Sequence, residues 1–228
     1  MIASFLRVAW HVMRKDITVE VRSLEILSTT MLFSVTVVLM FSFGLVSDGR
    51  PVDDVAAAIL WIAIAFSGTL ALGRTFERER HNDTLRALML APADRPALYA
   101  GKLAGILLLL GLVELVLVPL VGLFFNAPVL AQAVPLALLL IAGTLGFCAV
   151  GTLFAAMLVR ARSRDVLLPV MLYPMTVPVM IAGVRGTAAL FQPAPEPAVA
   201  QFWLGLLVAF DVVFVLLALW TFEPVMTD

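Results

Sequence analysis

The sequence predicts an all-α polytopic membrane protein, with six transmembrane helices and an N-terminal amphipathic helix lying in the membrane interface. Three observations predict it. The 228 residues are 62% hydrophobic and only 14% charged, against roughly half apolar and a quarter charged in a soluble domain. Long uncharged apolar runs recur along the chain, as a hydrocarbon layer about 30 Å thick demands at about 20 residues per helix. The basic residues alternate between the two sides: four precede the first run, six follow the second and three follow the fourth, thirteen in all, against two elsewhere. By the positive-inside rule both termini are then cytoplasmic. The asymmetry supports six spans, because one helix more or fewer would scramble it.

The spans are expected at residues 24–46, 55–73, 103–125, 134–158, 166–183 and 201–222. Ahead of the first, residues 1–23 place Ile2, Phe5, Leu6, Ala9, Met13 and Ile17 along one helical face, with Arg7, His11, Arg14 and Arg22 on the other. That pattern suits a helix at the cytoplasmic surface of the bilayer. The first apolar run follows Asp16 and Glu20 and is too long for a cleavable signal, so it reads as a retained span.

Charges concentrate between the second and third spans, in "GRTFERERHNDTLRALMLAPADRPALYAGK". Residues 74–81 hold Arg74, Glu77, Arg78, Glu79 and Arg80 without a glycine or proline, so the second span is expected to continue into water as a stalk. Asn82 or Asp83 then caps a short helix in which Leu85, Leu88 and Met89 share a face, with Arg86 beside them and Pro92 as the stop. Such a helix suits docking into a groove of a soluble partner. The alternative is that its leucines rest on the membrane surface. Residues 74–102 are thus read as a cytoplasmic stalk and coupling helix. The pair Gly101 and Lys102 is no phosphate loop, because Leu103 follows the lysine and Pro96 takes the first glycine position. Gly101 and Gly105 instead look like small residues that let helices approach closely.

The fifth span contains Pro169, Pro174 and Pro178, each of which removes a helix hydrogen bond, so it is expected to be kinked or broken and to sit against protein. Residues 184–200 are expected outside the membrane, with a short re-entrant turn near 187–191 and then a proline-rich extended piece. Two acids lie within spans, Glu114 and Asp211. They are read as hydrogen-bonding groups between helices rather than a proton path, since no Lys, Arg or His accompanies them there. The single cysteine, Cys148, lies in an apolar run and packs. A net charge of -1 gives no footprint for nucleic acid, and none is expected as a partner.

The charged stalk with Leu85, Leu88, Leu90 and Pro92, and the fifth span with Leu172, Pro174 and Pro178, resemble the CcmB family, heme exporter protein B. Two positions depart from that pattern: Ser163, Arg164 and Asp165 stand where members often carry glycines, and Thr84 where glycine often precedes the coupling leucine. The resemblance implies a single transmembrane domain over 1–228, of the ABC-2 exporter type, in a bacterial inner membrane. It implies no catalysis by this chain. ATP and Mg would belong to a separate cytoplasmic ATPase of the CcmA type, with a second permease subunit, CcmC- and CcmD-type heme-handling membrane proteins and a CcmE-type periplasmic heme chaperone as further partners. No cofactor is expected on this chain: of the axial ligand types for heme, the histidines His11 and His81 both fall in cytoplasmic segments. The competing functions are an ABC-2 permease for a lipid or drug, and an ATPase-independent secondary transporter or channel. The second of these makes Glu114 or Asp211 essential.

Overall fold

In a computed structural model of the protein the described residues are 2–47, 50–51, 55–76, 95–159, 161 and 163–227. Among the described residues seven helices carry the fold: α1 (Ile2–Ser23), α2 (Glu25–Gly44), α3 (Ala56–Arg74), α4 (Arg95–Phe124), α5 (Ala133–Met157), α6 (Arg164–Phe191) and α7 (Pro197–Thr227). A two-residue antiparallel ladder, β1 (Val46–Ser47) with β2 (Arg50–Pro51), joins α2 to α3. Helices α2 to α7 are each long and apolar enough to cross a membrane, so the six expected spans are present.

The centre of the bundle is α3 and α5, which are mostly buried, while α2 and α7 lie at the rim and are mostly exposed. Small residues bring the inner pair close to their neighbours: Ala57, Ala63, Gly68 and Ala71 in α3, and Gly143, Gly146, Ala149, Gly151 and Ala155 in α5 are buried. Between spans, where lipid is as apolar as the side chains, close backbone approach and shared hydrogen bonds supply the association. Ser34 of α2 meets Ser67 of α3. Trp61 of α3 donates to Thr187 of α6 at 2.9 Å, and Tyr99 of α4 donates to the Ala149 carbonyl of α5 at 2.9 Å.

Helix α1 lies along the start of α4. A Cβ on Gly101 would sit 2.7 Å from both the Ala9 carbonyl oxygen and the Val12 Cβ, so the glycine is what lets the two backbones touch, as its spacing from Gly105 predicts. The expected apolar face of α1 is partly covered, with Phe5, Ala9, Met13 and Ile17 half-buried. Val12 and Glu20 are buried and Val8, Ala9 and Asp16 half-buried, whereas Leu6 and Trp10 are 61% and 58% exposed. The contact with α4 recruits Val8 and Val12 from beside the basic face and leaves Leu6 and Trp10 as a separate apolar stripe. At its end Leu24 turns the chain into α2 with φ 51°, a left-handed conformation that costs a leucine about 1–2 kcal/mol. Glu20 offsets it by accepting the Leu27 N–H at 2.8 Å, one of the amides that the first turn of α2 leaves open.

The Gly105 position yields a direct check, because a Cβ there would lie 3.7 Å from the Asp16 Cβ, within the range of disulfide-bonded pairs. The variant Asp16→Cys with Gly105→Cys is expected to cross-link under mild oxidant, read as a mobility shift that reductant reverses. The buried Cys148 should not compete.

Two expectations are corrected. The helix that carries the third span begins at Arg95, not 103, so residues 95–102 are the opening turns of α4 rather than loop; Pro96 is tolerated there because the first turn has no N–H partners to lose. The fifth span runs unbroken through Pro169, Pro174 and Pro178 and on to Phe191, so residues 184–191 form helix and not an external re-entrant turn. Pro174 and Pro178 lie on the exposed side of α6 rather than against protein. One face of that helix (Leu168, Leu172, Thr176, Val179, Gly183, Thr187 and Leu190) packs inward, and this burial outweighs three separated lost hydrogen bonds.

Candidate functional site

The most polar buried cluster among the described residues forms where α3 ends. A helix leaves its last carbonyls without intrahelical partners, and cations are favoured there by the helix dipole. Arg164, the first residue of α6, donates from Nη2 to the Leu72 carbonyl at 3.2 Å. Lys102 of α4 donates to the Thr75 carbonyl at 3.0 Å. These side chains are buried at 3% and 4% exposure, where Lys and Arg are almost never found unless paired. Lys102 is paired: its Nζ lies 3.0 Å from Asp16 Oδ2 of α1 and 5.1 Å from the centre of the buried Phe76 ring. Nearby, Arg74 of α3 pairs with Glu25 of α2 at 2.8 Å in an exposed setting, where an ion pair contributes little. Five helices thus meet at the last described residues before 77–94.

Glu79, Leu85, Arg86, Leu88, Met89 and Pro92, the expected coupling residues, lie outside the described residues, as do His81 and Thr84. Nothing in the sequence marked Lys102, Asp16 and Arg164 as partners. Lys102 and Arg164 entered the sequence reading as members of the basic count and Asp16 as a charge ahead of the first span; the packing of α1, α3, α4 and α6 sets Lys102 against Asp16 and sets both cations on carbonyls at the end of α3.

The intramembrane acids separate into two settings. Glu114 of α4 accepts a hydrogen bond from Thr144 of α5, which is the expected tie between helices. Asp211 of α7 is 6% exposed, and its Oδ1 has no hydrogen-bond partner among the described residues. That oxygen is pressed against Gly146 of α5, where an added Cβ would meet it at 2.5 Å. Thr144 and Gly146 lie on opposite faces of α5, two residues apart at 100° each, so the helix body separates the two carboxyl groups.

Trp61 is fully buried at the centre of α3. Its indole lies between Gly143 of α5 and Gly183 of α6, each so close that a Cβ would overlap the ring. Together with the Thr187 hydrogen bond this pins three spans to one side chain. No cluster of three His, Cys, Asp or Glu side chains forms among the described residues.

Six helices long and apolar enough to cross a membrane, packed into one bundle, define a polytopic membrane protein. The chain matches the family model described as CcmB protein over residues 7–226, and it belongs to that family. It is similar to heme exporter protein B of Bradyrhizobium diazoefficiens, 28% identical over 176 residues that cover 77% of this chain and 79% of that protein. Heme exporter protein B of Pseudomonas aeruginosa is 24% identical over 184 residues, 80% of this chain and 81% of the relative. That of Rhodobacter capsulatus is 27% identical over 169 residues, 74% and 77%.

Proposed function

We propose that this chain is the permease subunit of an ABC transporter that couples ATP hydrolysis by a partner to heme export, or to release of a heme chaperone, in c-type cytochrome biogenesis. The observation that carries the reading is the family match over residues 7–226, with relatives named heme exporter protein B aligned over about three quarters of the chain. The whole chain then acts as one ABC-2 type transmembrane domain, with residues 1–23 at the bilayer interface. Leu6 and Trp10 enter the lipid, and Arg7, His11 and Arg14, all exposed, face water and headgroups. Residues 77–94 dock on a CcmA-type ATPase through Leu85, Leu88 and Met89, with Glu79 and Arg86 orienting the contact and Pro92 ending the helix. The prolines of α6 supply the flexure by which that span follows. ATP and Mg stay in the ATPase, and heme is handled with CcmC- and CcmD-type subunits and a CcmE-type chaperone. Purification of the intact complex tests this: the ATPase should co-purify, and its absence would sink the reading.

Orientation has its own test. In an inner membrane with both termini cytoplasmic, a cysteine placed at Asp83 should resist an impermeant thiol reagent added outside intact cells, while one at Asp48 should react. Labelling at 83 would overturn the thirteen-to-two charge argument.

Heme is cargo in this reading and takes no axial ligand from this chain's histidines. His11 is an exposed residue of α1, on the basic face away from α4. Replacing His11 and His81 together by Gln is expected to leave c-type cytochrome assembly within about twofold of normal, the range of surface changes, read by heme staining. A large loss with the complex intact would place heme chemistry on this chain.

A further inference from the structure

Lys102 occupies a position that topology alone does not require. The described residues stop at Phe76 and resume at Arg95, and Lys102 lies two turns beyond Arg95. Its ammonium donates to the carbonyl of Thr75, the last but one described residue before segment 77–94, at 3.0 Å. One side chain therefore ties together the two ends of segment 77–94. The same ammonium holds Asp16 of α1 at 3.0 Å, and its charge lies over the Phe76 ring. A turn further back, Arg164 draws the start of α6 to the Leu72 carbonyl. An ammonium has three donors on a flexible stem, which suits it to two partners on different helices at once. Burial removes the water that would otherwise compete for them.

We infer that Lys102, with Asp16 as its counter-charge, is a positioning residue that joins both ends of segment 77–94 to α1 and α4. A displacement imposed on the segment then moves these elements as one unit, and Arg164 passes it to α6. This rests on the reading that an ATPase drives the chain through that segment. Without the ammonium, the end of α3 and the start of α4 separate under load, and the work of ATP hydrolysis is lost in local deformation. Neither Lys102 nor Asp16 needs to touch ATPase or heme.

The test uses the full complex in a strain lacking its own copy of this protein. Lys102→Met keeps the stem and removes the donors; Lys102→Arg keeps a cation with several donors. The Met variant is expected to reach the membrane and to co-purify an ATPase that still hydrolyses ATP, while the yield of assembled c-type cytochrome falls by about tenfold, the scale on which coupling positions act. The Arg variant should recover most of the yield. An unchanged yield in the Met variant overturns the inference. So does loss of the protein or of the ATPase in the Met variant, because Lys102 would then be a folding or docking group. If the unmodified chain brings down no ATPase, it is the transporter reading that has failed, and the inference goes with it.

Discussion

Gly143→Ala is expected to destabilise the bundle by about 1–3 kcal/mol, the range for forcing an extra methyl into a packed core. The added Cβ would overlap the Trp61 indole, and the ring has nowhere to retreat. On its other side a Cβ at Gly183 would lie 2.6 Å from Trp61 Cζ2, so the α6 backbone already touches it. Sliding along the bundle would break the 2.9 Å hydrogen bond to Thr187, leaving a buried donor unpaired at a further cost of about 1–3 kcal/mol. The measurement is the midpoint of thermal aggregation of the purified protein in detergent, together with its amount in membranes. Gly111→Ala is the control. Nothing lies within 4 Å of a Cβ there, so its effect should stay within about 0.5 kcal/mol. Trp61→Phe alone should also destabilise, yet in that background Gly143→Ala should cost less, because the two changes share one space. Equal midpoints for the Gly143 and Gly111 variants would show that Trp61 is not pinned.

The spans were legible because an apolar run of about 20 residues has one solution in a bilayer; α2, α3 and α5 match their expected ends to within two residues. Misreading came where a residue has both a local and a tertiary use. In "GVRGTAALF" glycine and arginine look like a helix end, but Gly186 faces Leu139 and Trp203 closely and Thr187 is the Trp61 acceptor, while Arg185 points out. A glycine that breaks a helix in water admits a neighbouring helix in a membrane, and the letters alone do not distinguish the two. Lys102 is the same case with charge. Positive-inside counting treats every lysine alike, whereas its burial beside Asp16 depends on α1 folding back along α4, which Gly101 permits. The Gly101 and Gly105 spacing did announce that approach. Trp61 gave no signal, since a lone aromatic residue in a span is normally filler.

Leu88→Asp is expected to abolish co-purification of the ATPase. If residues 77–94 carry a helix that docks in a groove of that subunit, Leu85 and Leu88 are its buried anchors, and anchors of this kind hold most of an interface's free energy. An aspartate at 88 brings an unpaired charge into a space emptied of water, at a cost on the order of 3–5 kcal/mol, which is a factor of roughly one hundred to a few thousand in affinity. Arg86→Ala sits at the wet rim and should weaken binding by less than about 1 kcal/mol. The alternative, a helix lying on lipid, predicts another order of effects: Asp at 88 would lift the segment off the bilayer and leave the ATPase bound. Lys102→Met separates the two roles, because it leaves residues 77–94 untouched while removing the contacts that Lys102 itself makes with Thr75 and Asp16. Docking and transmission therefore fail differently: the Leu88 variant loses the ATPase, and the Lys102 variant keeps it without the work. A Leu88→Asp protein that is present in the membrane in normal amount and retains its ATPase would remove this helix from the coupling path, and the charges around it would then serve topology alone.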